Sequence, residues 1–297
     1  MNVSTPAPLV LVTGSNGWLG RCVARRFRAA GWRVRELVRR PEPAAVERGE
    51  AAAFTLGNEV QSQALAGARA LVHCAYDFSG RAWSEIEAAN VQGSVRLLEA
   101  ARQAGVEHLV YISTMSAFPG CKSLYGKAKL AIEAQAASQQ ALILRPGLIY
   151  GDQPGAMFQG LVRQARNARL LPLIGGGDQV LYLVHEADLS DLIFRYASGE
   201  APAPAAPITA AHPQGWTFRQ ILEKIAAKLG RRLTFVPVPW RAVWLALKTA
   251  EVCGLRLGFR SDSLVSLVNQ NAHPDFSSPA ELGFAPRPFT LEGVRLE

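Results

Sequence analysis

The chain has 297 residues, of which 49% are hydrophobic, and 32 Lys and Arg against 24 Asp and Glu leave a formal charge of +8. It contains no uncharged run of about 18 residues that would span a membrane, and no basic and then apolar leader that would indicate a secretion signal. Its four cysteines form no CxxC pair, which argues against a zinc site or a disulfide framework, so we expect a soluble protein of a reducing compartment, the cytoplasm.

The first informative stretch is a glycine-rich turn near the N-terminus. An apolar run at 9–12 leads to Thr13 and then to Gly14, Gly17 and Gly20. Strand, tight turn and helix start, in that order, can hold a dinucleotide pyrophosphate at the helix N-terminus. Because the spacing is G-x-x-G-x-x-G, it fits the G-x-G-x-x-G fingerprint loosely, and a turn without a ligand is the alternative.

The end of the second predicted strand, at 32–38, bears on the choice of cofactor. Arg39 follows this strand, with Arg40 beside it. A carboxylate at this place would bind the ribose 2′-hydroxyl, whereas an arginine accommodates a 2′-phosphate. We therefore expect NADP(H), with NAD(H) as the alternative cofactor. The arginines between 21 and 40 favour a solvated face over a nucleic-acid surface, because no nucleic-acid-binding motif accompanies them.

Apolar and helical segments alternate over the first half of the chain. Strands are predicted at 9–13, 32–38, 52–56, 70–74, 108–112 and 141–144, and helices at 18–30, 62–65, 83–104 and 124–139. Strands that alternate with helices predict a parallel sheet with right-handed crossovers. The expected fold class is therefore α/β, a Rossmann-type doubly wound parallel sheet, with a smaller and mostly helical C-terminal substrate domain.

The pattern changes after residue 150. A strand is predicted at 180–185 and helices at 158–169, 186–196, 217–229 and 241–255, whereas 170–179 reads as irregular. The apolar helix at 241–255 could lie on a membrane surface, although core or dimer packing is the preferred interpretation. We predict a dinucleotide-binding domain at 1–150, to which 178–212 returns, and a substrate-binding part formed by 151–177 and 213–297.

A second informative stretch is Tyr125-Gly-Lys-Ala-Lys129. Tyr125 and Lys129 are four apart in a predicted helix and therefore lie on one face. An ammonium close to a phenol favours the phenolate and so lowers the phenol's pKa. Such a tyrosine can exchange a proton with an alcohol or ketone oxygen, and Thr114, after the fifth strand, offers a hydroxyl to the same oxygen.

With the glycine turn, these residues resemble the extended branch of the short-chain dehydrogenase/reductase superfamily, the NAD-dependent epimerase/dehydratase-like proteins. The matching segments are 13–20 (TGSNGWLG), 72–75 (VHCA), 90–94 (NVQGS), 110–114 (VYIST), 125–129 (YGKAK), 145–151 (RPGLIYG) and 184–188 (VHEAD). The resemblance covers nearly the whole chain. It implies that Tyr125 is the general acid/base, that Lys129 lowers its pKa and holds the nicotinamide ribose, and that Thr114 is the catalytic hydroxyl residue.

The same resemblance implies the remaining site. Its cofactor-binding residues would be Gly14, Ser15, Asn16, Gly17, Trp18, Gly20, Arg39, Asn58, Cys74, Ala75, Asn90, Pro146 and Leu148. Tyr76, His185 and Arg260 are candidate substrate contacts. The expected partner is a small-molecule substrate, with no nucleic acid and no metal, and a homodimer is expected through the helices at 83–104 and 124–139.

Several departures from the family pattern narrow the chemistry. Dehydratases of the family carry Asp-Glu after the catalytic threonine, but Met115 and Ser116 follow here, so dehydration is not expected. Many members that act on nucleotide sugars have an arginine where Leu181 stands; Arg256 or Arg260 could supply that charge instead.

The preferred function at this stage is hydride transfer at an alcohol or ketone carbon of a sugar nucleotide, by a 4-ketoreductase or an epimerase. The first alternative is an NADPH-dependent reductase of a small hydrophobic ketone. The second is a non-catalytic NADP-binding sensor or assembly protein. Such proteins usually lose Tyr or Lys from the YxxxK motif, whereas Tyr125 and Lys129 are both present.

Overall fold

The computed structural model describes residues 6–152, 155–201, 204, 206–255, 258–277 and 283–296. The strands are β1 (Leu9–Thr13), β2 (Arg33–Val38), β3 (Ala51–Ala53), β4 (Ala70–His73), β5 (His108–Ile112), β6 (Leu142–Pro146), β7 (Leu148–Tyr150), β8 (Leu170–Ile174), β9 (Val180–His185), β10 (Ile208–Ala210), β11 (Gly215–Thr217) and β12 (Thr234–Val238). The helices are α1 (Trp18–Ala29), α2 (Pro43–Glu47), α3 (Ser62–Leu65), α4 (Trp83–Ile86), α5 (Gly93–Gln103), α6 (Leu124–Ser138), α7 (Ala156–Asn167), α8 (Glu186–Ala197), α9 (Phe218–Lys228), α10 (Trp240–Val252) and α11 (Ser261–Val268).

The main sheet is a seven-stranded parallel sheet in the order β10-β6-β5-β4-β1-β2-β3. Strand β1, an interior strand of this sheet, is buried along its whole length, as expected for a strand that helices cover on both faces. Val10 and Val12 point into one hydrophobic cluster, with Phe27 and Phe194. Leu11, between them, points into the other. The alternating apolar residues of β1 therefore serve both faces of a doubly wound sheet, and the predicted fold class is confirmed.

A second core forms in the region that follows β6. Strands β11, β9 and β7 make one small sheet, and β12 pairs with β8 in another. Phe158 of α7 and Ile221 of α9 are fully buried in this core beside Tyr150. Strand β9 joins the two cores, because its Val184 packs in the first and its Leu183 in the second.

The structure corrects two predicted elements. Residues 170–179 were expected to be irregular, but Leu170–Ile174 is a strand that pairs in parallel with Thr234–Val238. This pairing joins segments far apart in the chain, so local pattern could not indicate it. The predicted helix at 83–104 is interrupted, since Glu87–Gln92 forms a π-helical turn between α4 and α5. Within the described ranges, no helix is long and apolar enough to span a bilayer.

Candidate active site

One large cavity of about 2450 Å³ lies along the carboxyl ends of the central strands. Ligand sites typically measure roughly 300–1,000 Å³, so this volume can hold a dinucleotide and a second molecule together. Open α/β sheets bind ligands at the carboxyl ends of their strands. Residues of β1, β2, β4, β5 and β6 or of the loops that follow them line one end, and α7, α10 and α11 contribute to the other.

The glycine turn forms one wall of the cavity at the start of α1. Gly14 has a φ of +68°, and a Cβ there would lie 2.9 Å from the Ala75 backbone nitrogen. A Cβ on Gly20 would lie 2.3 Å from the Gly14 carbonyl oxygen, so only glycine fits at these two positions. The Gly17 amide donates to the Gly14 carbonyl at 2.8 Å. The turn is therefore a tight backbone cradle.

Four of the six residues predicted in this turn border the cavity, namely Gly14, Asn16, Gly17 and Trp18. Ser15 and Gly20 are buried behind it, and the Ser15 hydroxyl has no hydrogen-bond partner within the described chain. Gly17 is the N-cap of helix α1, makes no side-chain cap, and is followed by a first turn without acidic residues. No carboxylate of that turn would therefore repel an anion at this helix N-terminus.

A buried network that the sequence analysis missed fixes the end of β4 against this turn. Thr13 Oγ1 accepts the amides of Cys74 and Ala75, both at 3.1 Å, and lies 2.7 Å from His73 Nδ1. His73 Nε2 lies 2.8 Å from the hydroxyl of Ser94. Burial lowers the pKa of His73 to about 3, so the ring is neutral. Cys74 and Ala75 both line the cavity.

Two further predicted cofactor-binding residues, Arg39 and Asn58, differ in whether they line the cavity. Arg39 is exposed and lines the cavity just after β2. Asn58 does not line it: this residue is exposed, and its amide donates to the Thr55 carbonyl in a turn at 3.0 Å. The role of Asn58 in binding the cofactor therefore stays a prediction.

Asn90 acts on the cavity through the loop after β4. It is buried in the π-helical turn, where its Oδ1 accepts the Asp77 amide at 2.7 Å and its Nδ2 donates to the Asp77 carbonyl at 2.9 Å. It does not itself line the cavity, but Asp77 and the adjacent Tyr76 do. Asn90 therefore positions a loop of the cavity wall rather than facing its interior.

The three predicted catalytic residues lie together at the centre of the cavity. Tyr125 and Lys129 are one turn apart on α6, and Thr114 follows β5. Thr114 Oγ1 accepts the Ser116 amide at 3.2 Å, and its hydroxyl is near enough to the Tyr125 phenol to act on the phenol's pKa. Lys129 Nζ donates to the Ile112 carbonyl at 2.6 Å and lies 6.0 Å from the centroid of the Tyr125 ring.

The pKa values at this centre differ from the expectation that Lys129 lowers that of Tyr125. Burial is the largest influence on the phenol and raises the pKa of Tyr125 to about 12, against an opposing effect of the Thr114 hydrogen bond. Burial also lowers the pKa of Lys129 to about 8, although Cys74 and Glu133 act in the opposite direction. In the folded protein, Tyr125 is therefore a protonated phenol near neutral pH.

A buried ion pair that the sequence analysis also missed holds α6 on the sheet. Glu133, one turn beyond Lys129, accepts from Arg145 Nε at 2.9 Å and from Arg145 Nη2 at 2.5 Å. Its Oε1 also accepts the Ser113 hydroxyl at 2.5 Å. Since Ser113 precedes Thr114, this one carboxylate ties together the two segments that carry the candidate catalytic groups.

Two predicted cofactor-binding residues lie where β6 ends and β7 begins. Pro146 and Leu148 both border the cavity. A Cβ on Gly147, between them, would lie 2.1 Å from the Tyr182 carbonyl oxygen. No side chain fits at this position, so the backbone packs closely against β9 here.

The candidate substrate contacts fall into two classes. Tyr76 lines the cavity with its ring edge-to-face against that of Tyr125, at 4.9 Å between centroids. Arg260 lines it too, but its guanidinium donates to the carbonyls of Phe78 and Gly80 at 2.8 and 3.0 Å. Arg256, the other predicted cation, lies outside the described residues.

His185, the third predicted substrate contact, does not line the cavity, and its role with the substrate stays a prediction. It is buried at the N-terminus of α8, where its Nδ1 accepts the Ala187 amide at 3.2 Å. Its ring packs edge-to-face on Tyr150 at 5.1 Å. The side chain caps a helix, and its place in a strand-to-helix junction accounts for the pattern in the sequence.

Asp262, on α11, was not predicted to take part in the site. Its two carboxylate oxygens accept the amides of Leu124 and Tyr125 at 2.7 and 3.0 Å. The residue thereby caps the first turn of α6, the turn that carries Tyr125. Nothing near Asp262 in the sequence signals this contact, which joins segments far apart in the chain.

Comparison with known proteins agrees with this geometry. A family model described as the NAD dependent epimerase/dehydratase family matches residues 10–204. The chain is 29% identical over 238 residues to the ceramide reductase of Caulobacter vibrioides, covering 78% of this chain and 74% of that protein. It is also 29% identical over 191 residues to the 4-hydroxy-2-methyl-3-oxo-4-farnesyl-3,4-dihydroquinoline-1-oxide ketoreductase of Stigmatella aurantiaca, covering 56% of this chain and 57% of that protein.

Among solved structures, the UDP-glucose 4-epimerase of Thermotoga maritima with UDP-glucose has a TM-score of 0.73 at 19% identity, with 97% of this chain and 96% of that chain covered. MoeE5 in complex with UDP-glucose and NAD has a TM-score of 0.72 at 21% identity and the same two coverages. At such identities the structural likeness concerns the fold, and the substrate must be argued from the cavity.

Proposed function

The chain belongs to the NAD dependent epimerase/dehydratase family of enzymes, and from that premise we propose that it reduces a hydrophobic ketone with NADPH. The observation that carries this proposal is the protonated phenol of Tyr125 in a cavity whose wall beside it is aromatic. Tyr76 and Phe78 lie at 4.9 and 5.7 Å from the Tyr125 ring, between centroids. An apolar carbonyl compound fits such a wall better than a diphosphate, which needs cations and donors.

The residues around the glycine turn fit the phosphates of a dinucleotide. Gly14 and Gly17 leave a cradle that a Cβ would fill, and this cradle lies at the N-terminus of α1. Arg39 would contact a 2′-phosphate, and Pro146 and Leu148 would lie beside the nicotinamide. A bound nicotinamide cofactor would supply the hydride; the remaining steps belong to side chains of this chain.

The proton that the ketone oxygen takes up would come from the centre formed by Thr114, Tyr125 and Lys129. Thr114 and Tyr125 would both hydrogen-bond the ketone oxygen, which orients and polarises the carbonyl. As negative charge develops on that oxygen, the Tyr125 phenol donates its proton to it. The ammonium of Lys129, 6.0 Å from the Tyr125 ring centroid, stabilises the phenolate that remains.

Two curated relatives support the choice of a lipophilic ketone over a sugar nucleotide. Their names describe a ceramide reductase and a ketoreductase of a farnesyl-bearing quinoline oxide. In this chain, Leu181 lines the cavity where many nucleotide-sugar enzymes carry an arginine, and Gly147 leaves no room for a side chain. Arg260, the described alternative cation, already donates to two carbonyls.

A sugar nucleotide remains the second candidate, supported by specific observations. The fold matches MoeE5 and the Thermotoga epimerase over 97% of this chain, and both of those structures hold UDP-glucose. Exposed Arg163 and Lys248 also line the cavity and could contact a diphosphate. An epimerase would retain its cofactor through the reaction, whereas a reductase exchanges it.

The test is NADPH oxidation by purified protein with two substrate sets, alkyl and aryl ketones in one and UDP-4-keto sugars in the other. We expect turnover with the first set, and Tyr125→Phe should reduce the rate about 10²-fold or more because the proton donor is lost. Tyr196→Phe, a buried tyrosine of α8 outside the cavity, is the matched control and should retain the rate. An unchanged rate in Tyr125→Phe would refute the catalytic assignment, and turnover of UDP-4-keto sugars alone would favour the second candidate.

Cofactor choice is tested separately at Arg39. Arg39→Ser should raise the KM for NADPH about tenfold and leave the KM for NADH unchanged, because only NADPH carries the 2′-phosphate. Arg40→Ser, the adjacent exposed arginine that does not line the cavity, is the control. Purified protein that holds stoichiometric, non-exchanging NAD would contradict the NADPH reductase assignment.

A further inference from the structure

The mouth of the cavity is unusually apolar for a solvent-facing surface. Five large hydrophobic side chains that line it are between 40% and 80% exposed. They are Phe78, Met157, Val180, Val252 and Phe259. Isolated exposed hydrophobic residues are ordinary, but a contiguous group around a ligand entrance marks a surface that contacts another apolar phase.

Helix α10 extends this apolar surface beyond the mouth. Of its described residues, only Leu247 is buried, whereas Trp240, Leu245 and Val252 are exposed. Arg241 places its guanidinium 5.7 Å from the centroid of the Trp240 ring. An apolar helix with an aromatic residue and adjacent cations is typical of segments that lie in a membrane interface. The sequence-based preference for this helix was core or dimer packing; core packing does not account for its exposed side chains, and dimer packing is one outcome of the test below.

The charged residues around the mouth indicate the sign of the charge that a partner surface would carry. Exposed Arg81, Arg163 and Lys248 line the cavity at this end. The acidic side chains there keep their charge, because their hydrogen-bond donors are neutral. Glu251 accepts both the amide and the hydroxyl of Ser261 at 2.8 and 2.7 Å, and the Asp262 carboxylate caps α6. Cations nonetheless outnumber carboxylates at this end of the cavity, so its net charge is positive: Arg81, Arg163, Lys248 and Arg260 against Asp77, Glu251 and Asp262.

We propose that this rim and α10 dock on the surface of an anionic phospholipid bilayer, from which the substrate, a lipid-borne ketone, enters the cavity. The identity of the substrate rests on the proposed ketone reduction. Docking on the bilayer rests only on the exposed residues of the rim and of α10. Anionic headgroups complement the rim cations, and acyl chains complement the apolar side chains. A second copy of the chain is a poorer occupant, since a two-fold interface would bring two patches of the same net positive charge together.

Docking is measured by flotation with vesicles of phosphatidylcholine alone or of an equimolar mixture with phosphatidylglycerol. We expect binding to the mixed vesicles only, with loss of binding at high salt. Leu245→Glu and Arg241→Glu should each weaken it roughly tenfold or more. The matched controls are Val46→Glu, 46% exposed on α2, and Arg25→Glu, exposed on α1; both should bind like the parent protein. Equal binding by Leu245→Glu and the parent would refute docking.

Two ketones with the same reacting group separate docking from catalysis. Leu245 does not line the cavity, so Leu245→Glu should reduce soluble ethyl acetoacetate at the parent rate but lose most turnover of hexadecyl acetoacetate in mixed vesicles. Equal turnover of the vesicle-borne ester by both proteins would refute delivery from the bilayer. A parent protein that floats but reduces neither ester would overturn the proposed function and the ketone part of this inference, while docking stands. A parent that does not float, and whose oligomer dissociates in Leu245→Glu, would overturn docking in favour of a self-interface.

Discussion

Single residues at the candidate catalytic centre owe their pKa values to burial more than to their neighbours in sequence. Lys129 lies among tyrosine rings, with its Nζ 4.9 Å from the centroid of Tyr111 and 5.2 Å from that of Tyr76. Removal from water lowers the pKa of the ammonium and raises the pKa of the Tyr125 phenol. The two residues thus hold their protons near neutral pH, and the lysine loses its proton first as pH rises.

The first prediction concerns the pH dependence of ketone reduction. Because the pKa of Lys129 is about 8 and that of Tyr125 about 12, kcat/KM should be flat below pH 8 and fall above it. The fall follows from loss of the ammonium charge that stabilises the developing phenolate. Lys129→Met should lower the rate about 10²-fold and remove the fall near pH 8, as measured by initial rates across the pH range.

Two further variants distinguish charge from structure in that profile. Lys129→Arg keeps a charge that does not titrate in this range, so it should recover part of the rate without the fall near pH 8. Lys127→Met, an exposed lysine on the same helix, should retain the parent profile. A fall near pH 8 that persists in Lys129→Met would assign it to another group.

At the scale of elements, α6 is the helix on which the candidate chemistry depends. Its start is capped from two sides. Ser123 Oγ accepts the Gly126 amide at 3.1 Å, and Asp262 from α11 accepts the amides of Leu124 and Tyr125. The helix continues to Glu133, which anchors it to the sheet. The position of the phenol is therefore determined by contacts from several separate segments.

The second prediction is that Asp262→Ala destabilises the protein by about 1–2 kcal/mol, because two first-turn amides lose a charged acceptor at a helix N-terminus. Urea unfolding measures the change in free energy. The kcat of ketone reduction should also fall, since the turn that carries Tyr125 loosens. Asp262→Asn, which keeps an acceptor without the charge, should lie between Ala and the parent.

The matched control for this prediction is Asp275→Ala, an exposed aspartate whose hydrogen bonds, among the described residues, go to Ser277 of its own turn. It should leave the free energy of unfolding within about 0.5 kcal/mol of the parent. An Asp262→Ala variant as stable and as active as Asp275→Ala would show that the cap does not hold α6.

For the whole molecule, the two cores are joined by shared elements. Strand β9 contributes to both, and α8, which follows it, packs against α1. Phe194 of α8 lies edge-to-face on Phe27 at 5.3 Å and on Trp32 at 6.1 Å. Strand β10 then completes the main sheet beside β6. The division into 1–150 with 178–212 and 151–177 with 213–297 stays a prediction of how the chain folds.

The third prediction is that the chain unfolds in one transition rather than two. A strand that packs in both cores cannot leave one of them without exposing apolar surface of the other. Urea unfolding followed by far-UV circular dichroism and by tryptophan fluorescence should therefore give coincident curves with one midpoint. Separated midpoints would indicate that the substrate-binding part opens independently of the sheet.

The sequence was most informative where the residues of a candidate site lie within one short stretch of the chain. The glycine turn, Arg39 and the YxxxK helix could be read from local spacing, because a strand, a turn and a helix start are set by neighbouring residues. Alternating apolar segments indicated the fold class for the same reason. The predicted catalytic and binding roles stay predictions, but the fold does place Thr114, Tyr125 and Lys129 together along one cavity.

What only the tertiary structure decided involves residues far apart in the chain. His185 shares a family segment with the candidate site, yet it caps α8, whereas Asp262, unremarkable in sequence, caps α6. The pairing of β8 with β12 and the exposed face of α10 likewise depend on what packs beside them. Protonation is the clearest case: the sequence alone determined that Tyr125 and Lys129 are one turn apart, but burial, a property of the assembled cavity, decided the direction of both pKa shifts.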